Sequence, residues 1–408
     1  MAKFLTIDDF DFKSKVTLLR VDFNSPIDPQ TKKILDDTRI RAHAETTIKE
    51  LVQKGAKVVV LAHQGRPGDP DFTPLKQHAE ILGKILKKPV KYVDDIFGEK
   101  AQKAIKQLKS GEVLVLENVR TFEDEQKKGS PEDHAKSEFV KKLAPLADVF
   151  VNDAFAAAHR AHISIVGFTA VLPSVAGRIM ERELKALKKV LEAPEKPCIF
   201  VMGGAKGDDS LEISRYVLKN NIADYILTGG VIGHIFLVAK DVDLGKPNMQ
   251  FLEKKELMVL VPGIKGLMKE YPAAIMVPVD IAVDVEQKRK EIAVNKLPTN
   301  NAIYDIGTET AKKYGELIRK AKSIVISGPM GVFENKEFMA GTKKVFQAIA
   351  ASKAFSLVGG GHTVAAVEEL RLADKMSYVS TAGGALIEFL MGKQLPGVVA
   401  LEKAAART

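Results

Sequence analysis

Apolar positions along the chain keep two alternating rhythms. Short apolar runs at Val16–Val21, Lys57–Ala62, Val90–Val93, Val113–Glu117 and Val149–Asn152 read as strands. Between them Ile40, Ala44, Ile48, Leu51 and Val52 recur at helical spacing, which predicts a helix over Thr38–Lys54 closed by Gly55. Further helices are predicted over Leu75–Leu86, Glu99–Leu108 and His134–Leu146. Strands separated by helices imply a mostly parallel sheet covered on both faces. After Pro173 the pattern over Ala176–Leu191 is helical on one face and stops at Pro194 and Pro197, as a connector between two domains would. The second half then repeats the alternation. Its apolar runs, such as Ile324–Ile326, Phe355–Val358 and Tyr378–Val379, each run into a glycine loop. A break at Ile303–Gly307 precedes a predicted helix over Glu309–Arg319, and the charged stretch Glu286–Lys290 reads as a solvated loop or hairpin.

Chemistry concentrates where the strands end. Ile199–Met202 breaks at Gly203-Gly204 and passes through Lys206 into helical spacing at Leu211, Ile213, Val217 and Leu218. Asp209 and Glu212 stand three apart in the pattern of a capping box, which predicts the helix start there. Glycine backbone, helix dipole and lysine together make an anion site; an ordinary strand-to-helix turn accounts for the same residues. In the first half Asp22 and Asn24, His63 and Arg66, Arg120, and His159 and Arg160 all lie just past strand ends, with Arg39 opening the first helix. One such arginine is explained by a surface ion pair. The set at equivalent topological positions reads as a cationic pocket for a small, multiply charged anion.

Composition narrows the classes. At 408 residues two domains are expected. The net charge of +9 comes from scattered lysines without a basic block or interleaved aromatics, so no nucleic-acid partner is expected. No apolar run approaches the roughly 20 residues of a membrane span, and acids at Asp8 and Asp9 interrupt any leader-type segment. The single cysteine, Cys198, heads an apolar strand and reads as core in a cytoplasmic protein. His159 and His162 lack companions at metal-ligand spacing. A cationic pocket in one half and a glycine-lined edge in the other predict a phosphotransferase. The alternative is an NAD-dependent dehydrogenase of a small acidic substrate, because Gly229-Gly-Val-Ile-Gly233 loosely resembles a dinucleotide turn. It lacks the Gly-x-Gly-x-x-Gly spacing, and no Walker-type loop is present.

Taken together, the motifs resemble phosphoglycerate kinase, most closely its archaeal branch, over essentially the whole chain. The matching stretches are Arg20–Pro26, Thr38–Ile40, His63–Pro67, Leu116–Arg120, Asn152–Arg160, Gly203–Lys206, Gly328–Glu334, Gly359–Gly361 and Ser380–Ala385. The resemblance implies an α/β protein of two Rossmann-like domains with parallel sheets, an interdomain helix and an active site in the cleft between them. The domains would be 1–173 for phosphoglycerate and 194–394 for nucleotide, joined by the helix 174–193, with the tail 395–408 returning to the first. It implies 3-phosphoglycerate or 1,3-bisphosphoglycerate held by Asp22, Phe23, Asn24, Arg39, His63, Gln64, Gly65, Arg66, Arg120 and Arg160. It implies ATP or ADP with Mg2+ held by Gly204, Ala205, Lys206, Gly229, Gly230, Pro329, Glu334 (on the ribose), Gly360, Gly361, His362 and Thr363, with Gly383 and Gly384 as a phosphate loop. Arg39 and Lys206 would carry the catalytic charge. Monomer and homodimer are both compatible with the sequence.

Four positions depart from the pattern of bacterial and eukaryotic members. Ser210 replaces a second lysine, His362 an aspartate associated with the metal-nucleotide, Ser327 an asparagine and Ala382 a glycine. His362 reads as a polar lining residue. Asp208 or Asp209 remains to approach the metal through water, Asp209 being equally explained as a helix cap.

Overall fold

The computed structural model describes residues 3–407, which divide into two compact units, 3–185 with 394–407, and 186–393. Unit 1 is built on a six-stranded sheet of β1 (Val16–Arg20), β2 (Lys57–Leu61), β3 (Val90–Tyr92), β4 (Val113–Val115), β5 (Val149–Asn152) and β6 (Ser174–Ala176) in the order β3-β4-β2-β1-β5-β6. Every pairing is parallel. The central strands are buried on both faces, which is why they read as unbroken apolar runs, and apolar clusters lie on each side of the sheet. The helix Pro396–Ala405 belongs to this unit: Gly397 donates its N–H to the Ala158 carbonyl at 2.8 Å, and Ala400 packs with Ala154 and Ala157.

Unit 2 holds β7 (Cys198–Met202), β8 (Tyr225–Thr228), β9 (Ile275–Met276), β10 (Asp280–Val285), β11 (Lys288–Ala293), β12 (Ile303–Ile306), β13 (Ser323–Ser327), β14 (Phe355–Gly359) and β15 (Tyr378–Val379). A parallel sheet runs β15-β14-β13-β7-β8-β9, beside a three-stranded antiparallel sheet β11-β10-β12. The hairpin turns at Glu286 and Gln287, both at positive φ. The architecture is thus two doubly wound α/β units with parallel sheets, to which the hairpin sheet is an addition.

Several local expectations are corrected. The helix after Lys206 starts at Gly207, and Lys206 stands at its N-cap with no side-chain cap, so Asp209 lies in the first turn and forms no capping box. The span expected as one helix over His134–Leu146 is broken into Pro131–His134, Glu138–Leu143 and a 3-10 turn, because Ser130 and Ser137 each cap a new start. Ser174–Ala176 pairs with β5 as an edge strand, which delays the long helix to Arg178–Leu191. Ile303–Ile306 is a strand, not a break. The predicted helix Thr38–Lys54 forms as Thr38–His43 and Lys49–Gln53 joined through a π turn, and Gly55 closes it at φ +77°.

The order of strands reverses at β1/β5 in unit 1 and at β7/β13 in unit 2, and ligands of open α/β sheets bind beyond the carboxyl ends at such points. In unit 2 the register aligns Thr228, Met202, Ser327 and Gly359 in one row, so the loops that follow them emerge side by side. Two of these loops touch backbone to backbone. A Cβ on Gly328, whose φ is +96°, would lie 2.2 Å from the Gly203 carbonyl oxygen, and a Cβ on Gly203 would lie 2.1 Å from that of Pro329. Gly328→Ala should therefore cost at least ~1 kcal/mol and lower the melting temperature by roughly 2–4 °C per kcal/mol lost. Gly266→Ala, in the helix Val261–Glu270 with open space around its Cβ, should be neutral or stabilising. Equal melting temperatures for the two variants would contradict this reading.

Candidate functional site

Each unit carries a site beyond its strand ends, and the two are built from opposite materials. In unit 1 the material is full charge. Arg20, the last residue of β1, is buried, and each nitrogen of its guanidinium makes a bond within the protein. Its Nε donates to Ser164 Oγ at 2.9 Å, one terminal nitrogen donates to the Val21 carbonyl, and the other lies 3.0 Å from His63 Nδ1. Arg39, half-exposed at the start of its helix, pairs with the buried Asp22. Arg120 is buried and donates to the Gly65 carbonyl, while Arg66 is exposed. Burial pushes the His63 imidazole well below its ordinary range, and the positive field of Arg20, Arg120, Arg160 and Arg39 pushes it further. Burial, with Arg160, Arg120 and Arg20 beside it, likewise holds His162 at about 3. Arg120 itself is lowered to about 10, first by burial and then by Arg160 and Arg20. The arginines flagged by position thus act on common neighbours, His63 and His162, with the carboxyls of Asp22 and Glu125 among them.

The loop residues predicted with them divide in two. Asn24 accepts the Gly65 N–H at 2.8 Å and holds the loops after β1 and β2 together. Gln64 is buried, its amide spent on the Ser25 backbone and the Asp71 carbonyl. Phe23 is buried beside His78 and His43. Phe23 and Gln64 thus support the pocket from below. His43 accepts the Asp22 N–H on Nε2 and so donates from Nδ1 to Asp153, whose other oxygen receives the N–H groups of Ile179 and Met180.

In unit 2 the material is partial charge. Four helices begin with glycine and carry no side-chain cap: Gly207–Lys219, Gly230–Ala239, Gly361–Glu369 and Gly383–Leu390. Their first turns meet at one cavity of about 340 Å³. Uncapped N-termini leave backbone N–H groups without acceptors, and the helix dipoles add to them. Lys206 lines the same cavity, its side chain 81% exposed and only 4.0 Å from Asp209. Gly204, Ala205, Gly230, Pro329, Glu334, Gly360, Gly361, His362, Thr363, Gly383 and Gly384 are also in the lining. Gly229 is not: its Cβ position is taken by Met330, and it serves as the extended N-cap before Gly230. Asp209 and Ser210 line the cavity while Asp208 points into solvent. His362 sits 3.7 Å from Glu334.

Sequence reasoning missed the cavity's apolar wall, Val231, Ile303, Tyr304, Val332 and Ile387. Its only signal was the run Ile303–Ile306, misread as a break. Behind Tyr304, the buried Asp305 accepts from Arg289 at 2.7 Å and from the Gly341 N–H at 2.6 Å, and burial pushes its carboxyl up to about 6. Glu125 and Ser164 were missed as well, because nothing in Glu123-Asp-Glu-Gln126 marks which acid turns inward.

A well of arginines on one doubly wound unit and a helix-dipole cradle on the other define an α/β phosphotransferase. The sequence model of phosphoglycerate kinase matches residues 7–393. The phosphoglycerate kinase of Methanothermus fervidus is 47% identical over 408 residues, covering 100% of this chain and 99% of that protein. That of Methanothermobacter thermautotrophicus is 49% identical over 401 residues, covering 98% and 97%. The crystal structure of phosphoglycerate kinase from Pyrococcus horikoshii is similar at a TM-score of 0.89 and 42% identity, covering 99% of this chain and 100% of that one. The enzyme from Coxiella burnetii matches at 0.85 and 34%, with the same coverage. The chain belongs to the phosphoglycerate kinase family and has that activity. These matches give no support to the NAD-dependent dehydrogenase alternative.

The buried imidazoles make the units differ in acid. His63, His78 at about 4 and His162 at about 3 all titrate below their ordinary 6.5 in unit 1. Each contributes stability that is full above pH 6.5 and is lost as pH falls through the folded value. Glu125 opposes them: raised from 4.5 to about 7, mainly by burial, it contributes stability that is full below 4.5 and lost as pH rises through 7. Three imidazoles outweigh one carboxyl. In unit 2, His234 at about 4 is offset by Asp305 at about 6. Between pH 6.5 and 4, the protection factors of the central-strand amides, which are corrected for intrinsic exchange, should therefore fall in unit 1 more than in unit 2. His78→Phe should reduce the unit 1 slope, by up to ~1.4 kcal/mol per pH unit.

Proposed function

We propose that unit 1 holds the phosphoglycerate and unit 2 the adenine nucleotide, in reversible phosphoryl transfer between 1,3-bisphosphoglycerate and ADP. The observation that carries this is the meeting of four uncapped helix N-termini and Lys206 on one cavity, a cradle for a polyphosphate. The apolar wall of Val231, Ile303, Val332 and Ile387 suits a base, and Glu334 the ribose. Arg39, Arg66, Arg120, Arg160 and His63, with Asp22, Asn24 and Gly65 setting their geometry, suit a small acid bearing phosphate.

The acceptor is a carboxylate, ionised at neutral pH, so no general base is needed. The barrier is electrostatic: two polyanions must approach in line to roughly 3–3.5 Å, and the phosphoryl oxygens in transit must be stabilised. Arg39 supplies a guanidinium from the acid's side. Lys206 and the glycine-led helix N-termini supply charge and N–H groups from the nucleotide's side. With Ser210 in place of a second lysine, Lys206 is the only lysine among the residues lining the cavity.

Among the described residues no three His, Cys, Asp or Glu converge as a metal cage. Mg2+ fits nevertheless, since it is commonly held by one or two carboxylates together with substrate phosphates, and Asp209 at the cavity edge is the better placed candidate. Bound with the nucleotide, magnesium would neutralise phosphate charge. No described helix is long and apolar enough to cross a membrane. The buried thiol of Cys198 and the glycolytic reaction together favour a cytoplasmic setting.

A coupled assay of magnesium-ATP-dependent phosphorylation of 3-phosphoglycerate tests the assignment. Lys206→Ala should lower kcat by about 10²–10³ with little change in either KM; an unchanged kcat removes Lys206 from the mechanism. Arg39→Ala should abolish most activity and leave ADP affinity intact. Weakened ADP binding would contradict its placement with the acid.

A further inference from the structure

Beneath the arginine pocket runs a buried chain of polar groups that the reaction as described leaves unused. Glu125, only 1% exposed, lies in the 3-10 turn Glu123–Gln126. Its two carboxylate oxygens are 2.5 Å from Ser164 Oγ and 2.9 Å from the Ser164 backbone N–H. Ser164 is itself buried, and its Oγ receives the Nε–H of Arg20 at 2.9 Å. Arg20 then reaches His63 Nδ1 at 3.0 Å.

The direction of every bond in this chain follows from chemistry. A guanidinium can only donate. Ser164 Oγ therefore accepts from Arg20, and its single proton goes to Glu125. Above about pH 7 Glu125 is ionised; both its oxygens then accept, and its charge faces the buried charge of Arg20 across one hydroxyl. At the other end His63 Nδ1 must accept, so the ring proton resides on Nε2. Among so many arginines a second ring proton is opposed by like charge.

We infer that Glu125 and Ser164 are positioning residues that act through Arg20 to hold His63 as a neutral imidazole with its proton on Nε2, aimed as a hydrogen-bond donor at an oxygen of the acid substrate. A neutral donor fixes the direction of an anion that the arginines attract without orienting. Arg20, 2% exposed and with each guanidinium nitrogen bonded within the protein, serves as the connector and not as a substrate contact. The inference rests on placing the acid substrate in unit 1, but the state of the ring does not.

The test is histidine side-chain 15N NMR on the full chain, with kinetics alongside. Without substrate, His63 should show a protonated Nε2 and an unprotonated Nδ1 at pH 8, where Glu125 is ionised, and should form no imidazolium down to pH 6. A protonated Nδ1, or an imidazolium in that range, overturns the inference before any variant is made. In Ser164→Ala and Glu125→Gln the His63 signals should move toward a mixture of tautomers. KM for 3-phosphoglycerate should rise about 10-fold, the worth of one such hydrogen bond, with KM for ATP unchanged. Folded variants that keep the wild-type His63 signals overturn the relay. Altered His63 signals with an unchanged KM for 3-phosphoglycerate overturn the role of the ring in substrate binding and leave the phosphoglycerate site in unit 1 to be judged by Arg39→Ala. If a variant does not fold, the wild-type spectrum alone decides the tautomer.

Discussion

The constraint on which both sites depend is the register of parallel strands. Because hydrogen-bond pairing puts Met202 opposite both Ser327 and Thr228, and Ser327 opposite Gly359, four chain segments leave the sheet at one level. In unit 1 the same pairing puts Arg20 level with Leu61 and Asn152. Whatever follows those residues is delivered to one place. Glycine is required where the emerging loops then collide, as at Gly203 and Gly328.

From that shared geometry the two units solve anion binding differently. Unit 1 gathers guanidinium groups, which repel one another and are partly neutralised by Asp22 at the rim and, above about pH 7, by Glu125 in the interior. Burial depresses the imidazoles at His63 and His162 and the arginine field depresses them further, and with the buried His78 they give this unit its expected acid sensitivity. Unit 2 gathers peptide dipoles, which carry no net charge and need no buried counter-ion, and adds one exposed lysine. A polyphosphate bound there as proposed would meet N–H groups already pointed at it, so little reorganisation would be needed when charge shifts during transfer.

Much of the fold was legible in the chain because the strands are buried on both faces and the helices on one, and each of those environments leaves its own period in the sequence. The strands Val16–Arg20, Lys57–Leu61 and Val149–Asn152 and the helix Lys76–Leu86 appeared within a residue or two of their predicted bounds. The errors lay where period and propensity are poor guides. Ser137 restarted a helix, Ser174–Ala176 joined the sheet at its edge, and Asp209 fell inside a helix turn because the helix begins two residues earlier, at Gly207, with no side-chain cap.

The sequence by itself determined which residue types stand at strand ends, and with them the phosphotransfer chemistry: arginines after one set of strands, glycines and Lys206 after the other. Only the tertiary structure decided which of these residues face a ligand and which hold the others. Phe23, beside Asn24 in the loop after β1, and Gln64, in the loop after β2, are buried, Gly229 yields the cavity to Gly230, and Glu125, alone of its acidic trio, turns inward to Ser164. Facing is set by burial and by long-range hydrogen bonds, such as that joining Arg20 to Ser164 across 144 positions. No local pattern encodes a partner so distant.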